Sequence, residues 1–171
     1  MRVKKIVLIT GPGFEDVEVI YPCFRLQEEG FAVDVATSTN GEVFGKHGLP
    51  MRPSINLKEL SVKNYDAVII PGGYEAPDRV RQVAEVLEFI RKMFSSGKVV
   101  SSICHGPWVL ISADIVKNKN ATCYIGMKDD LKNAGARYLI KNVVVDDNLV
   151  TSDHPRNLSA WMKTTIDLIN K

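Results

Sequence analysis

The chain reads as an α/β protein, a mostly parallel sheet with helices on both faces, and three observations predict this. Four short runs rich in Val and Ile, each bounded by Gly or Pro, have the near-continuous apolar character of strands buried on both sides. Segments with apolar residues at helical spacing alternate with those runs. Parallel strands need a helix-length crossover between them, so strand–helix–strand alternation predicts parallel pairing.

The elements follow in chain order. KKIVLIT (4–10) is the first strand, and Gly11-Pro12-Gly13 turns the chain after it. Val17, Ile20, Tyr21 and Phe24 then fall at i, i+3, i+4 and i+7, which predicts a helix with these four as its buried stripe. Pro22 removes one backbone donor inside that helix and predicts a kink, and Gly30 ends it. FAVDVAT (31–37) is the second strand, and GEVFGKHGLPMRPSINL (41–57) reads as extended or hairpin structure at one edge. DAVIIP (66–71) is the third strand. Val83, Val86, Leu87, Ile90 and Phe94 form a cleaner helical stripe, ended by Ser95-Ser96-Gly97. KVVSSIC (98–104) is the fourth strand, and Pro107 opens a helix just beyond it. VVVDDNLVTS (143–152) predicts a hairpin around Asp146-Asp147-Asn148. Leu158, Trp161, Met162 and Ile166 mark a last helix, entered through Ser152-Asp153 and Pro155.

Bulk properties narrow the function classes. A chain of 171 residues suits a single domain spanning 1–171. Its 22 Lys and Arg against 20 Asp and Glu are scattered, so no basic face predicts a nucleic-acid partner. The apolar run before Gly11 is too short for a signal-peptide core or a membrane span, so no membrane partner is expected. Three cysteines, an odd number without CxxC spacing, argue against a disulfide framework or a zinc site. A reducing cytoplasm is the expected setting, with no cofactor.

In an open α/β sheet the ligand site lies beyond the carboxyl ends of the strands, which singles out three turns. The turn after 98–104 carries Cys104 in SSICHGPWVL (101–110). Strand, nucleophile, tight turn and helix make a nucleophile elbow, with Ser102 and Gly106 as the small residues two before and two after it. The following helix start favours a thiolate, and His105 is an adjacent base or cation. The turn after 66–71 carries Gly72-Gly73, whose backbone can approach a ligand. Amides of Gly73 and His105 would form an oxyanion hole. Asp78 follows, as an N-cap or as a carboxylate able to orient a histidine. The turn after 4–10 carries Glu15, Asp16 and Glu18, for which helix capping is the default explanation. Glu15 stands nearest the turn, and spacing alone leaves open whether it caps the helix or points toward Cys104. His47 and His154 are rival bases, with His154 also placed to cap a helix start, and neither has ligand spacing. Cys23 and Cys123 read as packed.

At these residues the sequence resembles a known family. GFEDVEVIYP, GKHG, IIPGG with APDRVR, SSICHGPWVLISA and GMKDDLKNAGA together resemble the PfpI-type intracellular proteases, a branch of the class I glutamine amidotransferase-like superfamily. The likeness runs in order along essentially the whole chain. It implies a flavodoxin-like three-layer sandwich with Cys104 as nucleophile, His105 as partner and Glu15 as the acid beside the sulfur. It also implies the Gly73 and His105 oxyanion hole and a pocket bordered by Gly72 and Tyr124. Asp78 would reach the histidine of a neighbouring subunit, in a dimer able to build a hexamer. The chain departs from the pattern at PGGYEAPD, where Glu75 competes with Asp78, at Ile125, and at Asp153-His154.

Three functions follow, and the residues leave them open. The main expectation is a cysteine-dependent hydrolase acting on peptides. The alternative is a cofactor-independent glyoxalase or deglycase acting on small α-oxoaldehydes, with Cys104 adding to the carbonyl. The last is a redox sensor or holdase using an oxidisable Cys104.

Overall fold

The computed structural model describes residues 2–171. The first half of the chain gives β1 (Lys5–Ile9), α1 (Asp16–Glu28), β2 (Ala32–Thr37), the small ribbon β3 (Val43–Phe44) and β4 (Pro50–Met51), β5 (Ile55–Asn56), β6 (Ala67–Ile70), α2 (Ala76–Val80) and α3 (Ala84–Ser95). The second half gives β7 (Val99–Ile103), α4 (Pro107–Ser112), β8 (Asn120–Ala121), α5 (Lys128–Asn133), β9 (Arg137–Tyr138), the hairpin β10 (Val143–Asp146) and β11 (Leu149–Ser152), and α6 (Leu158–Ile169).

Seven strands form the main sheet in the order β10-β11-β7-β6-β1-β2-β5. Every pairing is parallel except β10 with β11. Val7 of β1 lies between Asp34 and Val68, and Ile69 of β6 faces Ser101 of β7. From β1 the chain first builds outward through β2 and β5, then returns to build the other way through β6, β7 and β11. The switch point lies between β1 and β6, where ligands bind in such sheets.

Alternating side chains divide between two faces. Val7, Ile9, Val68, Ile70 and Val100 pack with α3, through Val86, Phe89, Ile90 and Met93, and with Leu110 of α4 and Leu131 of α5. Ile6, Leu8, Ile69, Ile103 and Val150 pack on the other side with Val19 and Leu26 of α1 and Trp161, Met162 and Ile166 of α6. This is the flavodoxin-like three-layer sandwich. No helix among the described residues is long and apolar enough to cross a membrane.

One element differs from its sequence reading. The expected stripe of α1, Val17, Ile20, Tyr21 and Phe24, is not the buried one: Val17 is 43% exposed and Phe24 59%. The buried face is Glu18, Val19, Pro22, Cys23 and Leu26. Pro22 sits within the helix without ending it. It withholds a donor from the carbonyl four residues back, that of Glu18.

Candidate functional site

Cys104 sits at the end of β7 with φ at 58°, a left-handed conformation that costs a non-glycine residue about 1–3 kcal/mol. The corner is held on all sides. The Cys104 N–H donates to the Ser152 carbonyl at 3.0 Å, the Gly106 N–H to Ile103 at 2.8 Å, and the Tyr124 N–H to the Cys104 carbonyl at 3.0 Å. Ser102 Oγ donates to the Ile70 carbonyl at 3.0 Å and ties β7 to β6 beneath the elbow. Gly106 is required by space, since a Cβ there would lie 2.4 Å from the Ile70 carbonyl oxygen and 2.4 Å from Ser102 Oγ.

The β6–α2 turn meets the elbow from one side. Gly73 has φ at 115° and forms an isolated bridge with Phe14. Glu15 N–H donates to the Gly72 carbonyl and Tyr74 N–H to that of Gly13. A Cβ on Gly72 would lie 2.8 Å from the His105 nitrogen and 3.0 Å from Cys104 Cβ, so only glycine lets these turns approach. The Gly73 and His105 amides donate to no carbonyl among the described residues. Both turns that carry them meet at Cys104.

His105 Nδ1 stands 3.3 Å from Cys104 Sγ. Its ring stacks on Tyr124 with centroids 4.7 Å apart and meets Trp108 edge-on at 5.2 Å. Burial, and then the charge of Lys46, lower the His105 pKa, which keeps the imidazole neutral.

The acid beside the sulfur is Glu18, and this corrects the expectation that Glu15 fills that place. Glu15 borders the cleft, but its carboxylate pairs with Lys46, and His47 Nε2 lies 3.8 Å away. Glu18 is fully buried under the elbow, where Oε2 accepts the Gly72 N–H at 2.6 Å. Its Oε1 has no hydrogen-bond partner among the described residues, and the carboxyl lies beside Cys104. Burial raises its pKa to about 8. Glu18 is therefore a carboxylic acid at neutral pH, able to donate toward sulfur.

This also revises the expected source of thiolate. Cys104 is only 7% exposed and α4 is six residues long, so the helix dipole does not dominate. Burial raises the thiol pKa first, an ionised Glu18 raises it further, and the His105 amide opposes both. A protonated Glu18 removes the like charge and supplies a hydrogen bond. A proton on Glu18 thus lifts one of the causes that hold the thiol protonated, the like charge beside the sulfur.

A cleft of about 440 Å³ opens over the sulfur, bordered by Glu15, Lys46, Gly73, Tyr74, His105, Tyr124, His154 and Pro155. His154 is a wall residue whose Nδ1 accepts the Arg156 N–H at 3.2 Å, the capping role foreseen for it. His47 projects into solvent at the rim, its side chain 68% exposed. Asp78 is exposed on α2, accepts from Gln82 Nε2 and does not border the cleft within one chain. Glu75 pairs with Arg79. Cys23 and Cys123 are buried, with thiols pushed up to about 11 and about 12 by desolvation. No group of His, Cys, Asp or Glu among the described residues is arranged to hold a metal ion.

The sequence pattern of the DJ-1/PfpI family matches residues 4–168. "Deglycase PfpI" of Pyrococcus furiosus is 45% identical over 96% of this chain and 99% of its own length. YraA of Bacillus subtilis, whose name carries a cysteine-protease assignment of provisional standing, is 37% identical over 97% of this chain and 98% of its own. Among solved structures, Drosophila melanogaster DJ-1beta superposes with a TM-score of 0.92 at 28% identity, covering 99% of this chain and 92% of its own.

Proposed function

The chain belongs to the DJ-1/PfpI family, and from that premise we propose that it is a cofactor-independent enzyme of the deglycase kind, taking α-oxoaldehydes, free or as early adducts, onto Cys104. One observation carries the reading. The sulfur is flanked by two groups able to move a proton, neutral His105 at 3.3 Å and buried, protonated Glu18.

In the proposed reaction His105 Nδ1 takes the thiol proton and sulfur attacks the aldehyde carbon. The C=O electron pair passes to oxygen, which the Gly73 and His105 amides receive. His105 returns the thiol proton to that oxygen, then takes the aldehyde hydrogen as a proton and delivers it to the adjacent carbon, while the new hydroxyl passes its proton to the second oxygen, which isomerises the adduct to a 2-hydroxy thioester. Water cleaves that ester, releasing a 2-hydroxy acid and the thiol.

The peptidase expected first from sequence is the second reading, supported by the name of YraA. It asks for a carboxylate on the His105 ring, and none is paired with it among the described residues. In that reading Asp78 of a second copy supplies it. Wild-type protein and Cys104→Ala are to be compared on methylglyoxal and on a peptide panel. Lactate formed only by the wild type is expected. Peptide cleavage without lactate would overturn the proposal in favour of the peptidase.

A further inference from the structure

The cleft holds one cation that the reaction above leaves without a task. Lys46 sits at the tip of the β3–β4 ribbon, away from the elbow in sequence, yet it borders the same cleft as Cys104. Its charge acts on Cys104, Glu18 and His105 alike. The ammonium has three donors, Glu15 takes one, and the described residues supply no other acceptor. Two N–H groups therefore remain for a ligand.

The loop that carries Lys46 is fastened deliberately. Asp16, at the start of α1, accepts the His47 N–H at 3.0 Å on one oxygen and the Leu49 N–H at 2.9 Å on the other. The Lys46 N–H itself donates to the Phe14 carbonyl at 2.8 Å. Gly45 lies so close that a Cβ would come within 2.5 Å of Asp16 Oδ2. Capping of α1 alone requires none of these contacts with a distant ribbon.

From this geometry we infer that Lys46 is a substrate-contacting residue that receives the second oxygen of a vicinal dicarbonyl, and that Asp16 positions it. The inference rests on the α-oxoaldehyde reading. When sulfur bonds to the aldehyde carbon, the first oxygen enters the amide pair of Gly73 and His105. The neighbouring ketone oxygen already carries partial negative charge in that adduct, and more as the aldehyde hydrogen leaves, so a fixed ammonium stabilises it at both stages. A simple aldehyde has no second oxygen and gains nothing from Lys46. The site then selects dicarbonyls over monocarbonyls by a charge and not by shape.

The test needs no turnover. Iodoacetamide alkylates Cys104, and a reversible adduct on the sulfur slows it, so the slowing measures adduct affinity. Methylglyoxal and propionaldehyde, the second with a methylene where the first has a ketone, are compared on wild type, Lys46→Met and Lys46→Arg. Lys46 is one-third exposed on a loop, so both variants are expected to fold. We expect Lys46→Met to weaken protection by methylglyoxal about tenfold or more while protection by propionaldehyde stays within about twofold, and Lys46→Arg to retain most of the difference. Asp16→Asn should raise KM for methylglyoxal more than it lowers kcat. Equal losses for the two probes, or no loss for either, would overturn the inference. Absence of lactate from wild-type protein would instead sink the proposed function, and the protection ratio would still decide the role of Lys46.

Discussion

Glu18→Gln isolates the group on which the site turns. In the fold this carboxyl titrates near 8, against 4.5 in an unfolded chain. Between those values the folded protein holds a proton that the unfolded chain has released, so stability falls as pH rises. Below 4.5 both states hold the proton and above 8 neither does, which confines the slope to that window. Each pH unit inside it costs about 1.4 kcal/mol, and the whole window about 5 kcal/mol if Glu18 acts alone. Glutamine keeps the shape. Its carbonyl accepts the Gly72 N–H, its NH₂ faces residue 104, and it does not titrate. Urea unfolding at pH 5.5, 7.0 and 8.5 measures the effect, with Cys104→Ser in both proteins so that the thiol contributes nothing. Near pH 5.5 the two should be about equally stable. The glutamine protein should then gain on its parent by about 1 kcal/mol per pH unit up to pH 8. A difference that stays flat with pH means that Glu18 is ionised throughout and refutes the account of the thiolate given above.

Other consequences are open to direct measurement. Iodoacetamide on the native protein should label Cys104 alone, because its sulfur borders the cleft beside His105 while Cys23 and Cys123 are packed in the interior away from it; mass analysis of the peptides decides it. Gly106→Ala should cost about 1–3 kcal/mol or more in urea unfolding, since its Cβ meets carbonyl oxygens of both β6 and β7. Burial opposes the lowered pKa of Asp16, but the His47 and Leu49 amides outweigh it, so its stabilisation is present above 3.8 and fades as pH falls below that value. Wild type should therefore exceed Asp16→Asn by about 1 kcal/mol at pH 7, and the gap should close in acid. Size-exclusion chromatography and mixing of Cys104→Ala with Asp78→Ala chains test the cross-subunit role expected of Asp78. Activity that reappears on mixing supports it, and two inactive parents that stay inactive count against it.

The strands were legible because each is a short Val- and Ile-rich run closed by Gly or Pro, and burial on both faces leaves no other reading for such runs. The elbow was legible for a different reason: Ser102, Cys104 and Gly106 have side chains whose sizes are dictated by one tight corner. Local chemistry also announced the β10–β11 hairpin through Asp146-Asp147-Asn148. What sequence did not reveal was contact between distant segments. The hold of Asp16 on the His47 and Leu49 amides joins positions more than thirty residues apart, and no periodicity signals it.

The misplacement of the acid has a single physical origin. Residues on a helix advance about 100° each, so a stripe read two positions out of phase lies almost on the opposite face. Helix α1 carries apolar residues on both sides: Val19, Pro22, Cys23 and Leu26 face the sheet, while Val17 and Phe24 face outward. Choosing the outer row as core turns Glu18 toward solvent, and its burial then cannot be foreseen. A charged residue next to an inward row would ordinarily be rejected from the core, since burying a lone carboxylate costs several kcal/mol. Glu18 avoids much of that cost by keeping its proton, with Oε2 held by the Gly72 amide and the carboxyl beside Cys104. Its raised pKa is thus set by the same packing that closes α1 onto the sheet. The folding free energy that puts an acid under the elbow is also what keeps that acid protonated beside Cys104.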